Sequence, residues 1–127
     1  MRLFLFLALT LWQTSLNADP KSHYMIHCMG CHLMSGEGMP PEVPAFNTDL
    51  SFLAGTEDGR RYLVQVPGAS QSPINDAELA YLLNWMLDEY APNPKARAFT
   101  SEEILKYRND ILADPKAERA RLFAANH

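Results

Sequence analysis

Apolar residues recur along this chain at three- and four-residue intervals, and clusters of Gly, Pro and small polar residues interrupt them. The clearest segment begins at Asn75-Asp76-Ala77-Glu78, where Asn75 can cap a helix and Glu78 can reach back from the N3 position. Behind it Leu79, Leu82, Leu83 and Met86 fall on one helical face with Trp85 beside them, and the helix should end before Pro92. Asp19-Pro20 predicts an earlier helix running to about Cys28 and ending near Gly30. Asn47-Thr48-Asp49 can cap a short helix that ends at Gly55. Thr56 with Glu57 and Asp58 opens another, stopped by Pro67. Thr100 to Glu103 reads as a second capping box, opening a helix to about Leu112, and Asp114-Pro115 starts a last one. Residues 33–47 and 67–74 are loops, and 91–99 a linker. No strand pattern or internal repeat appears, so the expected class is all-α.

The first residues read differently. Met1-Arg2 precedes an apolar run from Leu3 to Trp12, and a polar segment follows to Ala18. One positive charge, a short apolar stretch and a small residue describe a secretory signal peptide. The run falls short of the roughly 20 apolar residues a membrane span needs, although a retained segment would anchor the protein. The expected division is a signal peptide at 1–18, a small domain at 19–90, and a linker with a helical extension at 91–127. A domain of this size often relies on a cofactor or staples to complete its core.

Charge is unevenly spread. Residues 19–94 carry three Lys/Arg against ten Asp/Glu, whereas residues 95–127 carry seven against five. The acidic body excludes nucleic acid as a partner, because phosphates would be repelled. It leaves electrostatic docking on a basic protein surface open.

The chain has two cysteines, and they sit three residues apart in Cys28-Met29-Gly30-Cys31-His32. This matches the attachment pattern for c-type haem. Two thiols one turn apart can each add to a vinyl group on the same porphyrin edge, and the next residue sets an imidazole under the iron. Other readings of the same residues are a redox disulfide, a structural disulfide, or half a zinc site completed by His23, His27 or His32. The redox motif normally sits in a βαβ setting, which the helical pattern here lacks.

From Tyr24 to Tyr90 the chain resembles a class I c-type cytochrome, of the small bacterial single-haem kind. A helix leads into the haem motif, a Gly/Pro loop follows, then short helices and a last helix carrying an aromatic. The resemblance implies one covalent haem c on Cys28 and Cys31, with His32 as the proximal iron ligand. It implies that Pro44 lies beside that histidine, with a nearby backbone carbonyl accepting from the other ring nitrogen. It also implies that the aromatic of the last helix, Trp85, packs against the first helix. Export to the periplasm fits, since such haem is attached outside the cytoplasm.

One departure stands out. The family supplies a methionine as sixth ligand from the loop before the last helix, and that loop, 67–74, has none; the equivalent position falls near Ala69. Met86 on the last helix and Met39 in the Gly/Pro loop are the remaining candidates, with Gln71 or water as a weaker ligand. Met25 and Met29 are expected as haem contacts, Met34 is too close to His32 to swing beneath the plane, and His127 is a terminal residue. Arg60 and Arg61 read as solvated residues, and one of them can pair with a haem propionate.

Three functions follow from the resemblance. The first is a one-electron carrier between a periplasmic dehydrogenase or oxidoreductase and a downstream acceptor. The second is a high-spin haem protein that binds or senses a small gas. The third is a haem subunit of a larger dehydrogenase, with residues 91–127 docking on the partner. No nucleophile–base constellation marks the chain as an enzyme.

Overall fold

Proline and capping side chains set where the helices of the computed structural model begin. It describes residues 18–91 and 96–125, so the expected signal peptide at 1–18 and His127 lie almost wholly outside the described residues. The elements are α1 (Pro20–His27), α2 (Phe46–Ala54), α3 (Glu57–Gln65), α4 (Pro67–Ser70), α5 (Asp76–Tyr90), α6 (Ser101–Tyr107) and α7 (Pro115–Ala124). Among the described residues the one β-type pairing is an isolated bridge between Met39 and Val43. The class is all-α, as the periodicity predicts.

The capping box at α5 forms in both directions, each bond 2.9 Å. Thr56 accepts from the Gly59 amide at 3.1 Å, and Asp114 from that of Ala117 at 2.9 Å. Elsewhere tertiary contacts move the boundaries. Asp19 precedes α1 without a side-chain cap. α2 starts at Phe46, so Asn47 and Thr48 lie inside its first turn, and the Thr48 hydroxyl donates back to the Ala45 carbonyl. The pull is aromatic: the Phe46 ring stacks on His32 and lies 5.7 Å from Tyr90. Pro67 ends α3 and at once opens the single turn α4, so the expected loop is partly helical. α6 ends at Tyr107, short of the expected Leu112; the side chain of Arg108, its C-cap, reaches Asp76 at 2.9 Å and the Ser70 carbonyl at 3.1 Å.

α1 crosses α5. Tyr24 on α1 is fully buried, 5.4 Å from Trp85 and 5.5 Å from Tyr90, so the aromatic packing expected of the last helix is present. Leu50, Leu53, Val64, Leu79, Leu82 and Leu83 fill the space between α2, α3 and α5. The Tyr24 phenol donates to the Leu33 carbonyl at 2.6 Å, and the Tyr90 phenol to the Met34 carbonyl at 3.1 Å. Two core tyrosines therefore hold the backbone immediately after His32.

The turn that follows depends on Gly36, whose φ is +77°. A Cβ there would also lie 2.7 Å from the Tyr90 ring. Gly36→Ala is expected to cost about 1–2 kcal/mol from the left-handed backbone alone, with a further loss as Tyr90 gives way. Urea unfolding would read this as a lower midpoint; an unchanged midpoint would contradict it.

Residues 96–125 fold back onto the rest of the chain. α6 packs on α5 and α3, and α7 packs on α3. Arg60, 2 % exposed, holds both Glu103 carboxylate oxygens at 2.7 and 2.6 Å. It also donates to the Arg97 carbonyl at 2.8 Å and lies over the Phe99 ring at 3.9 Å. Asn84 of α5 both donates to and accepts from the Phe99 backbone. Phe123 of α7 stacks on Phe52 with centroids 4.5 Å apart.

Candidate functional site

The turn after α1 continues its hydrogen bonding, with the Cys28 amide bonded to the Tyr24 carbonyl at 2.9 Å. The amides of Cys31 and His32 then both donate to the Cys28 carbonyl, at 3.1 and 2.9 Å. That tight turn brings Cys28, Cys31 and His32 to the wall of one cavity of about 290 Å³. Its size is at the lower edge of the roughly 300–1,000 Å³ typical of small-molecule sites. Leu50, Leu53 and Leu63 of α2 and α3 and Leu79, Leu82, Leu83 and Met86 of α5 line it, together with Pro44 and Phe46.

The Phe46 ring stacks on the imidazole of His32, centroids 4.0 Å apart and planes at 22°. Burial pushes this imidazole down to about 4, so it is neutral near pH 7, the form that binds a metal. Its Nδ1 is buried with no hydrogen-bond partner. This corrects the expected bond to a backbone carbonyl: Pro44 does line the same cavity, but stacking on Phe46 orients the ring. Burial, and then the neighbouring Cys31, push the Cys28 thiol up to about 11. Both cysteines are free thiols, so neither disulfide reading is supported. Among the described residues no group of three or more His, Cys, Asp or Glu comes together to hold a metal ion, and the zinc reading loses support as well.

The two methionine candidates separate. Met86 is buried and reaches the cavity wall. Met39 is 58 % exposed, tied to Val43 in the isolated bridge, and away from that wall. Gln71 is exposed and outside it. On the α4 side the wall is Val66, Gly68 and Ala69, and a Cβ built on Gly68 would meet nothing within 4 Å. Met25 is half exposed, and Met29 packs at the edge of the core.

Arg60 and Arg61 do not reach the cavity. Arg60 is buried against Glu103 because the extension covers it, and Arg61 pairs with Asp58 on the surface. His23 is buried near Glu78, while its stacked neighbour His27 lines the cavity. Two features of the site are barely legible in the sequence. One is Phe46 as the partner of His32, signalled only by its place two residues after Pro44. The other is Lys116 and Arg119 of α7 in the cavity wall, which no local pattern announces.

No family model matches the chain, and no solved structure matches it. Two curated proteins do, both named cytochrome c-552 and both from Thermus thermophilus, the second from a designated strain of that species. Each is 28% identical over 118 residues, covering 75% of this chain and 90% or 80% of the relative respectively. Sequence kinship and the all-helical architecture agree, and the chain is a relative of the c-type cytochromes with a small cytochrome c-like helical fold.

Proposed function

We propose that this protein is an exported one-electron carrier holding a single haem c, attached through Cys28 and Cys31 with His32 as the proximal iron ligand. In this reading residues 1–18 are the leader, 19–90 the haem domain and 91–127 its helical extension. One observation supports it above all: two free thiols and a neutral imidazole, on one tight turn, line a single apolar cavity. The buried imidazole of His32 and the apolar side chains around it fit a flat hydrophobic group with a metal at its centre.

When bound, the haem supplies a metal centre that takes up and releases one electron. The protein's part is to hold and shield it. Phe46 fixes the imidazole plane, Tyr24 and Tyr90 anchor the turn that follows His32, and the leucines of α5 exclude water. The partners are a dehydrogenase or oxidoreductase as donor and a downstream acceptor, met outside the cytoplasm. Among the described residues no helix is long and apolar enough to cross a membrane. Acid–acetone extraction of the purified protein tests the reading: haem must stay with the polypeptide, one per chain, and its complete removal overturns it.

Met86 is the methionine that can serve as sixth ligand, and His/Met ligation raises the potential of a cytochrome c. A second reading, binding of a small gas, draws on the α4 wall, where Gly68 leaves open space and Ala69 has no ligating atom. The carrier reading expects Met86→Ala to abolish the weak near-infrared methionine–iron band and to admit carbon monoxide to the reduced protein. Truncation of this buried side chain should also cost about 2–5 kcal/mol. Rapid, complete carbon monoxide binding by the wild type would favour the gas-binding reading instead.

A further inference from the structure

We infer that Lys116 and Arg119 of α7 form the carboxylate-binding site for the two haem propionates, making the C-terminal helix a clamp on the cofactor; this rests on the haem reading above. Both cations line the same cavity as Cys28, Cys31 and His32, three residues apart on one face of α7. Among the described residues Lys and Arg occur nowhere else in that wall; its other charged side chains are Glu42 and Asp49, and the rest is largely apolar. A carboxylate brought into such surroundings costs several kcal/mol unless a cation and hydrogen bonds meet it. The haem brings two carboxylates, and the wall offers two cations.

Neither cation is saturated by its present partners. Lys116 meets Glu42 at 2.7 Å, leaving two of its three donors. Arg119 approaches Asp49 no closer than 4.0 Å and donates to the Pro41 carbonyl at 3.3 Å, so most of its five donors are uncommitted. Arg119 is also held in place, with its side chain 18 % exposed, while α7 is seated on α3 and by Phe123 on Phe52. A guanidinium fixed in that way suits the planar geometry of a carboxylate. Arg121, two residues on, pairs with Glu118 outside the cavity and supplies a control on the same helix.

The test uses the full-length holoprotein and reads the midpoint potential. The Lys116→Gln/Arg119→Gln double variant should show a lower potential than wild type, since uncompensated propionate charge favours the ferric state. The shift should shrink as salt is added. Arg119→Lys should keep most of the wild-type value, and Arg121→Gln should keep all of it. Independently, amide exchange across Pro115–Ala124 should be slower in the wild-type holoprotein than in the Lys116→Gln/Arg119→Gln holoprotein, and unchanged in Arg121→Gln. If the double variant does not fold, the same two readouts on the Lys116→Gln and Arg119→Gln single variants decide. An unchanged potential, a shift of equal size in Arg121→Gln, or α7 exchange equal to wild type in the substituted holoprotein overturns the clamp. Wild-type protein lacking covalent haem would instead overturn the reading on which the clamp rests.

Discussion

Replacing Cys28 and Cys31 together by serine is expected to remove all acid-stable haem from the protein. Each thioether forms when an S–H bond adds across one vinyl group, so a hydroxyl in its place leaves that carbon unattached. Either single variant should retain haem through one bond, detectable as a polypeptide mass increased by one haem after acid–acetone extraction. Full retention in the double variant would contradict attachment at these residues. The consequence for stability should be equally large. An unfilled cavity costs on the order of 24 cal/mol per Å³, so about 290 Å³ sets an upper bound of roughly 7 kcal/mol. That is comparable to the whole stability of a small domain, about 5–15 kcal/mol. Without haem the chain is therefore expected to lose its sharp thermal transition while keeping much of its helix content, as read by far-UV circular dichroism.

What the sequence revealed depended on whether a feature was local. The caps at Thr56, Asn75 and Asp114 involve residues three apart, and the structure reproduces each hydrogen bond. The motif Cys28–His32 is equally local, and so is the absence of a methionine between Pro67 and Ile74. Features joining distant segments stayed hidden. Phe46 reaches His32 across a Gly/Pro loop, and its ring drew the start of α2 forward past Asn47. Glu103 reads as the return half of a capping box, yet its carboxylate goes to Arg60, 43 residues away. Only the Thr100 half of that box survives, at 3.3 Å. Arg60 itself reads as a solvated or propionate-binding residue until the extension is seen to cover it. The same fold-back puts α7 at the cavity, where a sequence pattern shows two cations and no address.

The Arg60–Glu103 pair carries the second large expected effect. Both side chains are buried, 3 % and 7 % exposed, and the pair joins α3 to α6. Burial opposes ionisation of Glu103, but its bonds to Arg60 and Arg97 prevail and hold its carboxyl below the usual carboxylate range. Arg60→Met leaves that carboxylate buried with only Arg97, a residue whose side chain is 57 % exposed. Breaking a buried pair from one side costs about 3–5 kcal/mol, and the expected loss in urea unfolding lies toward the lower end because Arg97 remains. Glu103→Leu strands the Arg60 guanidinium in the same way, although the Arg97 and Ala98 carbonyls still accept from it. The Arg60→Met/Glu103→Leu double variant should be more stable than either single variant, since it leaves no unpaired charge. Additive losses would show that the two side chains act separately. A carboxyl with a depressed folded pKa contributes stability above its unfolded value, near 4, and loses it as pH falls through the folded value. Wild-type stability should therefore fall between about pH 4 and the acid limit more steeply than that of the double variant. Because α6 and α7 are consecutive on the chain, a loosened α6 should also raise amide exchange in α7, the helix that borders the haem cavity.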